Sequence, residues 1–326
     1  MRASLAALAL LSLFAPSPAP ADPIAITATP IERFDVTGLT RFGPLEFRGG
    51  LVLSSPDEHF GGLSSLLLDP DGAHFIAASD RGSWLTGRIV SEGDRPTGIA
   101  EAHLAPMRVA GGGTLARRGR ADVESLARTK AGILAGIERK QEVWIFPGAD
   151  PLKSTGRRLL ADPALGKLGN NESLEAMLAP PDGKPAPLIV IAEESPDDPA
   201  ILPGFLFGPL KKPAPMGRFA VRRTDDFSAT DAALADDGRV YLLERRFDIF
   251  RGVAMRIRRF PLSEIRPGAL IEGEVLISVS RVMAIDNMEA LALHRNASGE
   301  LILTVLSDDN FSALQRTLLL RFAIVD

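Results

Sequence analysis

Acidic residues recur at equivalent places along the chain, and their type and spacing suit metal binding. Five segments share one pattern: a polar residue, a short apolar run, a turn with glycine and a second apolar run. The polar residues that open the first runs are Ser64, Glu124, Glu175, Asp231 and Glu289. If the segments surround one axis, these side chains form a ring, and their charges repel unless a cation or arginine intervenes or a pKa rises.

This ring has two explanations. Carboxylate oxygens without cysteine or a histidine cluster favour a hard ion such as calcium or magnesium over zinc. The first explanation is therefore a calcium site, and its predicted ligands are Glu124, Glu175, Asp231 and Glu289. The second is that each acid accepts hydrogen bonds from backbone N–H groups of a neighbouring segment and has a structural role only.

A second set of acids follows the second apolar run of each segment. Its members are Asp80, Glu138, Glu193, Glu244 and Asp308. In three segments a basic residue comes next, which indicates either ion pairs between segments or a site for an oxyanionic substrate. Arginine suits the latter because it holds phosphate or carboxylate with two parallel hydrogen bonds. The candidate catalytic residues from this set are Asp80, Arg81, Glu244 and Arg245.

Histidine supplies one further candidate. His59 precedes Phe60-Gly61-Gly62, next to the first ring position, and is the candidate general base. The sequence contains no Gly-x-Ser-x-Gly motif, and its four histidines do not have the spacing of metal ligands. These observations argue against a serine hydrolase and against a zinc enzyme.

The two runs of each segment predict a β-hairpin. The acids that end the hairpins recur roughly every 50 to 65 residues, which is close to the length of one four-stranded propeller blade with its loops. Residues 24–54 alternate apolar and polar side chains, and we expect them to pair with the strand at residues 317–322. Alternating arginines in residues 254–260 predict an outer strand with one solvent face. Only residues 262–265 resemble a helix.

The fold class that follows is all-β. Five hairpin units and one blade built partly from the termini predict a six-bladed propeller, with about 51 residues per blade. Seven blades is the alternative. Residues 22–326 form this single domain. Residues 1–21 have the basic, apolar and small-residue regions of a signal peptide, and their apolar region is shorter than the roughly 20 residues that span a bilayer.

Composition limits the partners and the location of the protein. A formal charge of −4 without a basic stripe argues against nucleic-acid binding. The chain has no cysteine, so it gains nothing from disulfides after export. Arginine far outnumbers lysine, which is typical of GC-rich bacterial genes. We therefore expect a periplasmic or secreted protein of a Gram-negative bacterium that is monomeric and has no membrane span.

Several motifs together resemble one known family. They are Gly61-Gly62-Leu63-Ser64, Ala78-Ser79-Asp80-Arg81-Gly82, Asp122-Val123-Glu124, Leu242-Leu243-Glu244-Arg245, Asn287-Met288-Glu289-Ala290-Leu291 and Leu306-Ser307-Asp308-Asp309-Asn310-Phe311. In this order they are similar to the bacterial phytase-like family, also described as "esterase-like activity of phytase". The resemblance implies an exported β-propeller and points towards hydrolysis of phosphoesters or esters.

Two functional classes follow. The first is a hydrolase of phosphoesters or small esters that uses a carboxylate–metal site at the mouth of the central channel. The second is a non-catalytic periplasmic propeller that binds a ligand or serves as a scaffold and whose acids are structural. Both classes imply a small-molecule ligand rather than a nucleic acid.

Overall fold

The computed structural model describes residues 21–169 and 174–325. Nearly all of the predicted signal peptide, residues 1–20, lies outside this part of the chain. The described residues form 24 strands and four single-turn 3-10 helices, at Ala116–Arg118, Pro151–Lys153, Leu165–Lys167 and Leu262–Glu264. The last of these falls where the sequence predicts a helix-like stretch. None of the described helices has the length and apolar character needed to cross a bilayer.

The strands form five sheets, which are the blades of a propeller. Blade 1 contains β1 (Asp22–Pro23), β5 (Leu63–Leu68), β6 (His74–Ser79), β7 (Ser83–Glu92) and β8 (Arg95–Pro106). Blade 2 contains β9 (Val123–Thr129), β10 (Gly132–Ile137), β11 (Glu142–Pro147) and β12 (Arg157–Ala161). Blade 3 contains β13 (Ala176–Leu178), β14 (Leu188–Ile191), β15 (Ile201–Phe207), β16 (Pro215–Arg222) and β20 (Leu270–Ile271).

Blade 4 contains β17 (Ser228–Leu234), β18 (Arg239–Asp248), β19 (Gly252–Pro261) and β21 (Glu274–Ser280). Blade 5 contains β2 (Thr27–Ile31), β3 (Arg41–Phe42), β4 (Leu45–Ser54), β22 (Asn287–Arg295), β23 (Leu301–Asp308) and β24 (Thr317–Ile324). The innermost strand of each blade is the first strand of a predicted hairpin: β5, β9, β13, β17 and β22.

The number of blades corrects the prediction from sequence. The N-terminal strand β4 pairs with the C-terminal strand β24 in antiparallel register, with Leu53 opposite Thr317, as expected. However, β24 also pairs with β23, so the terminal strands complete the blade that already contains the fifth hairpin. The propeller therefore has five blades, and the predictions of six and of seven are both wrong. The error arose because the terminal strands were counted as a blade of their own.

The hydrophobic core lies between the blades rather than within one layer. It divides into five clusters of buried side chains, and each cluster combines residues from two neighbouring blades. Trp84 of blade 1, for example, packs edge-on against Phe146 of blade 2, with ring centroids 4.9 Å apart. Blade 5 shares one such cluster with blade 1, which closes the ring. Inner strands are apolar on both faces because both faces pack against other blades.

Candidate functional site

A β-bulge near the start of an inner strand determines where the ring residues point. In four blades the pairing register skips one residue at this place. The skipped residues are Ser64, Glu124, Thr230 and Glu289. A bulge leaves one residue unpaired and redirects its side chain, a device that is common beside active sites. The bulges therefore present glutamates at one mouth of the central channel in blades 2 and 5. In blades 1 and 4 the bulged hydroxyls are buried and donate to carbonyls of the next blade.

In blade 4 the bulged residue is Thr230, and Asp231 lies one position further along the strand. The Asp231 carboxylate accepts hydrogen bonds from the backbone N–H groups of Ala232 at 2.7 Å and of Leu291 in blade 5 at 2.8 Å. Thr230 Oγ1 donates to the carbonyl of Met288 at 3.3 Å. Asp231 also lines an apolar cavity of about 580 Å³ in the channel beyond the ring. Asp231 therefore accepts hydrogen bonds from backbone N–H groups, including one of the neighbouring blade, as the structural explanation of the ring predicts.

In blade 4 the second set of acids is also displaced by one residue from the position that it has in the other blades. In blade 5 the residue just before the bulge, Met288, is opposite Ser307, and Asp308 is the next residue after Ser307. In blade 4 the residue just before the bulge, Ala229, is opposite Glu244. The next residue, Arg245, is therefore the equivalent of Asp308. The second ring consists of Asp80, Glu138, Glu193, Arg245 and Asp308. One arginine therefore stands among four acids.

Glu244 lies inside blade 4, where two arginines bind its fully buried carboxylate. Its Oε2 accepts hydrogen bonds from Arg256 Nε at 2.8 Å and from Arg258 Nε at 2.7 Å. Both arginines are buried, so the solvent face predicted from their alternation is wrong. Successive residues of a strand point to opposite faces, which explains why Glu244 and Arg245 have different surroundings.

We call the carboxylates that the bulges and the second ring bring together the acidic mouth: Asp80, Asp122, Glu124, Glu138, Glu175, Glu193, Glu289 and Asp308. Two triads within it have ligand oxygens that all lie within 4.8 Å of one another. They are Asp122, Glu124 and Glu138, and Glu138, Glu175 and Glu193. Glu138 belongs to both. Oxygen donors of this kind fit a hard divalent cation such as calcium.

Burial and mutual repulsion change the pKa values in the acidic mouth. Burial, together with nearby acids, raises the pKa of Glu138 to about 8 and that of Asp308 to about 7. The pKa values of Glu124 and Glu175 rise well above their ordinary range for the same reasons. Charged carboxylates are therefore unfavourable here without a compensating positive charge.

Arg245 supplies part of that compensation from the fourth blade. Its Nε lies 3.1 Å from Glu289 of blade 5, and its Nη2 lies 3.4 Å from Glu193 of blade 3. Asn287 Nδ2 also donates to Glu289 Oε1 at 2.8 Å. Burial raises the pKa of Glu289 to about 7, although Arg245 opposes this rise. The arginine thus forms ion pairs between blades at the edge of the acidic mouth.

Asp80 and Arg81 occupy the blade 1 side of the mouth. Burial raises the pKa of Asp80 to about 6. The Arg81 guanidinium stacks 3.2 Å from the centroid of the Phe311 ring, and Asp309 accepts hydrogen bonds from the backbone N–H groups of Phe311 and Gly62. A Cβ at Gly62 would meet the Asp80 carboxylate at 2.3 Å. Close packing at this position therefore requires glycine.

The predicted site residues separate into groups. The structure brings five of them together at the mouth: Asp80, Glu124, Glu175, Arg245 and Glu289. By contrast, Asp231 and Glu244 make structural contacts. The side chain of His59 is exposed, and its contacts are with Asp57 at 3.7 Å and Glu58 at 4.0 Å rather than with the mouth. Three further carboxylates of the acidic mouth were not among the ligands predicted from the sequence: Asp122, Glu138 and Glu193. The recurrence of the second set of acids was the signal that could have identified Glu138 and Glu193.

Solved structures with a similar arrangement share little sequence with this chain. Myxococcus xanthus glutaminyl cyclase is 11% identical, with a TM-score of 0.43 over 94% of this chain and 100% of that one. The aldose sugar dehydrogenase of Streptomyces coelicolor, in its PQQ-bound form, is 11% identical, with a TM-score of 0.44 over 93% and 100%. Likenesses at this level carry no argument about activity. No curated protein matches the chain.

One family model does match the sequence. It is the phytase-like model, described as "esterase-like activity of phytase", and it covers residues 58–311. This range includes the inner strand of every blade and every carboxylate of the acidic mouth. Because the match covers well over half of the sequence, the protein belongs to the phytase-like family.

Proposed function

We propose that the acidic mouth binds calcium and hydrolyses a phosphoester or a small ester. The observation that carries this proposal is the position of Glu138, whose carboxylate belongs to two triads of oxygens at once. Asp122, Glu124, Glu175 and Glu193 complete the set of residues that would hold the ion. A bound divalent cation polarises a phosphoryl or carbonyl oxygen and lowers the pKa of bound water.

The residues of the chain itself supply the remaining functions. Arg245 presents a guanidinium at the edge of the acids, where it can orient an anionic substrate oxygen. Asp80, with a pKa of about 6, is largely ionised at neutral pH and is basic enough to accept a proton from water. We therefore assign Arg245 to substrate binding and Asp80 to general-base catalysis.

The N-terminal sequence and the family also support a proposal about location. The first 21 residues have the composition of a signal peptide. We propose that the protein is exported to the periplasm or secreted, and that it acts as a monomer on a small molecule.

An activity panel with purified protein tests the proposed reaction. The substrates are phosphomonoesters, phytate, aryl esters and lactones, each with EDTA and with added calcium. We expect calcium-dependent turnover of at least one substrate class. Glu138→Gln should remove this turnover, while Glu92→Gln, which removes an exposed carboxylate elsewhere in blade 1, should not. Absence of turnover on every substrate would favour the second class, a ligand-binding propeller without catalysis.

A further inference from the structure

The turn between β18 and β19 carries exposed apolar side chains. Ile249 is 81% exposed and Phe250 is 92% exposed, and Phe247 beside them is also exposed. The two strands stay paired up to Asp248, whose Oδ1 accepts a hydrogen bond from the backbone N–H of Phe250 at 2.8 Å. The hairpin is therefore an ordered projection that holds these side chains in solvent.

Two more exposed apolar residues continue this surface. The backbone N–H of Arg281 donates to a carbonyl of β19 at 3.1 Å, which places the exposed Val282 next to the hairpin. Leu314 is 94% exposed in a neighbouring loop. Arg316 of this loop pairs with Asp286, four residues after Val282, with Nε 3.3 Å from Oδ2. We call this surface the apolar rim: Phe247, Ile249, Phe250, Val282 and Leu314. Exposed apolar side chains grouped in this way are a candidate interaction site.

The apolar rim lies on the same face of the propeller as the acidic mouth. Strand β18 runs towards that face, because it begins at Arg239 and reaches the mouth only at Arg245, near its end. Ile249 is four residues beyond Arg245, and a strand rises about 3.3 Å per residue, so the tip projects roughly 13 Å past the mouth. The projection exceeds the Debye length of about 10 Å at 0.1 M salt.

Basic side chains flank the apolar rim. Arg251 is exposed in the turn itself, Arg281 is exposed and packs against Gly252 at the start of β19, and Arg246 precedes Phe247. These arginines outnumber Asp248, the acid of the hairpin, and the neighbouring Asp225 pairs with the buried Arg256. The hairpin therefore carries a positive charge, opposite in sign to the net charge of −4. Aromatic and aliphatic side chains bordered by arginines are typical of surfaces that lie on anionic bilayers. The distance of the tip from the mouth keeps the carboxylates screened from lipid phosphates.

We propose that the apolar rim docks on an anionic lipid bilayer. Ile249 and Phe250 enter the interface between headgroups and acyl chains, and Arg251 and Arg281 contact the lipid phosphates. Docking of this kind holds the acidic mouth towards the membrane at a fixed distance. The proposal is independent of the reaction at the mouth, because it rests on the exposed hairpin and its charges alone.

Vesicle co-sedimentation tests this inference on the full protein. The lipids are phosphatidylcholine alone and phosphatidylcholine with phosphatidylglycerol, and the variants are wild type and Ile249→Ser/Phe250→Ser. We expect wild type to sediment with the anionic vesicles at about 0.1 M salt and the double variant to bind at least about tenfold more weakly, since fewer buried carbons partition into lipid. Met216→Ser, which changes an exposed apolar residue of blade 3 on the opposite face, should bind as wild type does.

Circular dichroism of each variant shows whether the fold is retained. Arg251→Glu/Arg281→Glu keeps the apolar side chains and should also lose binding to the anionic vesicles. Wild type that stays in the supernatant with both lipids would overturn the inference. A concentration-dependent dimer that the Ile249→Ser/Phe250→Ser variant abolishes, without vesicle binding, would overturn it too and would identify the surface as an interface between copies.

Discussion

Arg245 Nε lies 3.1 Å from the Glu289 carboxylate, and this ion pair joins blade 4 to blade 5 at the channel mouth. Arg245 occupies the position at which the other blades have acids, so it is a built-in cation of the site. Arg245→Gln should lower the melting temperature of the calcium-free protein, because Glu289 and Glu193 then lose the positive charge that they share. The same variant should show a larger calcium-induced rise in melting temperature and a higher KM for an anionic substrate. Calorimetry and steady-state kinetics measure these effects, and an unchanged KM would contradict the binding role of Arg245.

Glu138 should control the response to calcium. If calcium binds the folded state and not the unfolded chain, a hundredfold excess over Kd stabilises the protein by about 2.7 kcal/mol. This corresponds to a rise in melting temperature of roughly one to a few degrees for a domain of this size. Glu138→Gln should remove most of the rise, and Glu92→Gln should retain it. If wild type freed of metal by a chelator melts at the same temperature with and without calcium, the metal site is wrong.

Glu244 should be important for stability rather than for catalysis. Its replacement by Gln leaves the buried guanidinium of Arg258 without a counter-charge and leaves Arg256 only its ion pair with Asp225 at 3.4 Å, which costs about 3 kcal/mol or more. Urea unfolding measures this loss. We expect the folded Glu244→Gln protein to keep its turnover number and its calcium response. A variant as stable as wild type but inactive would instead return Glu244 to the catalytic candidates.

Asp231 should likewise stabilise the ring without binding calcium. Asp231→Asn replaces one of two acceptor oxygens by an amide N–H₂, which faces a backbone N–H that loses its hydrogen bond. The expected loss is about 1–3 kcal/mol of unfolding free energy, and it should be equal with EDTA and with calcium. A loss seen only in the presence of calcium would show that Asp231 is a ligand after all.

The stability of the calcium-free protein should fall as the pH rises from 6.5 to about 8. Glu138, Glu289 and Asp308 have pKa values of about 8, 7 and 7, above their ordinary values of 4.5, 4.5 and 3.8. The folded state therefore binds more protons than the unfolded chain, and this advantage disappears as the pH rises through the window. The buried His294, whose pKa is about 4, has the opposite effect only below its ordinary value of 6.5.

Thermal unfolding in EDTA at the two ends of this window measures the effect. We expect a melting temperature lower by a few degrees at the higher pH, and added calcium should reduce the difference. Glu138→Gln should have a flatter pH profile than wild type. A melting temperature that rises with pH in EDTA would show that the acids are compensated by other means.

The hairpin repeat was sufficient to predict the propeller and the ring, because apolar runs with a turn between them are visible without any structure. The blade count was not predictable in the same way. Whether β4 and β24 form a blade alone or join β22 and β23 depends on long-range pairing, which leaves no local pattern.

Blade 4 shows a different limit of sequence analysis. The bulged residue of blade 4 is Thr230, so Asp231 lies one position beyond the bulge. A displacement of one residue moves a side chain to the opposite face of a strand. Aligning acids with acids therefore assigned Asp231 and Glu244 to the two ring positions of blade 4, which Thr230 and Arg245 occupy in the structure. The polar face of β19 was misassigned for a related reason, since Arg256 and Arg258 meet a buried carboxylate that only the register reveals.

The pairing of β4 with β24 has a consequence for how the chain folds. Leu53 and Thr317 are opposite each other although almost the whole domain separates them in sequence. During synthesis β4 has an unpaired edge until the last strand is made, and such edges invite pairing with other chains. Contacts at this sequence separation form slowly. Closure of the ring should therefore be the late, rate-limiting step of folding, and a chain that ends before β24 should aggregate rather than fold in part.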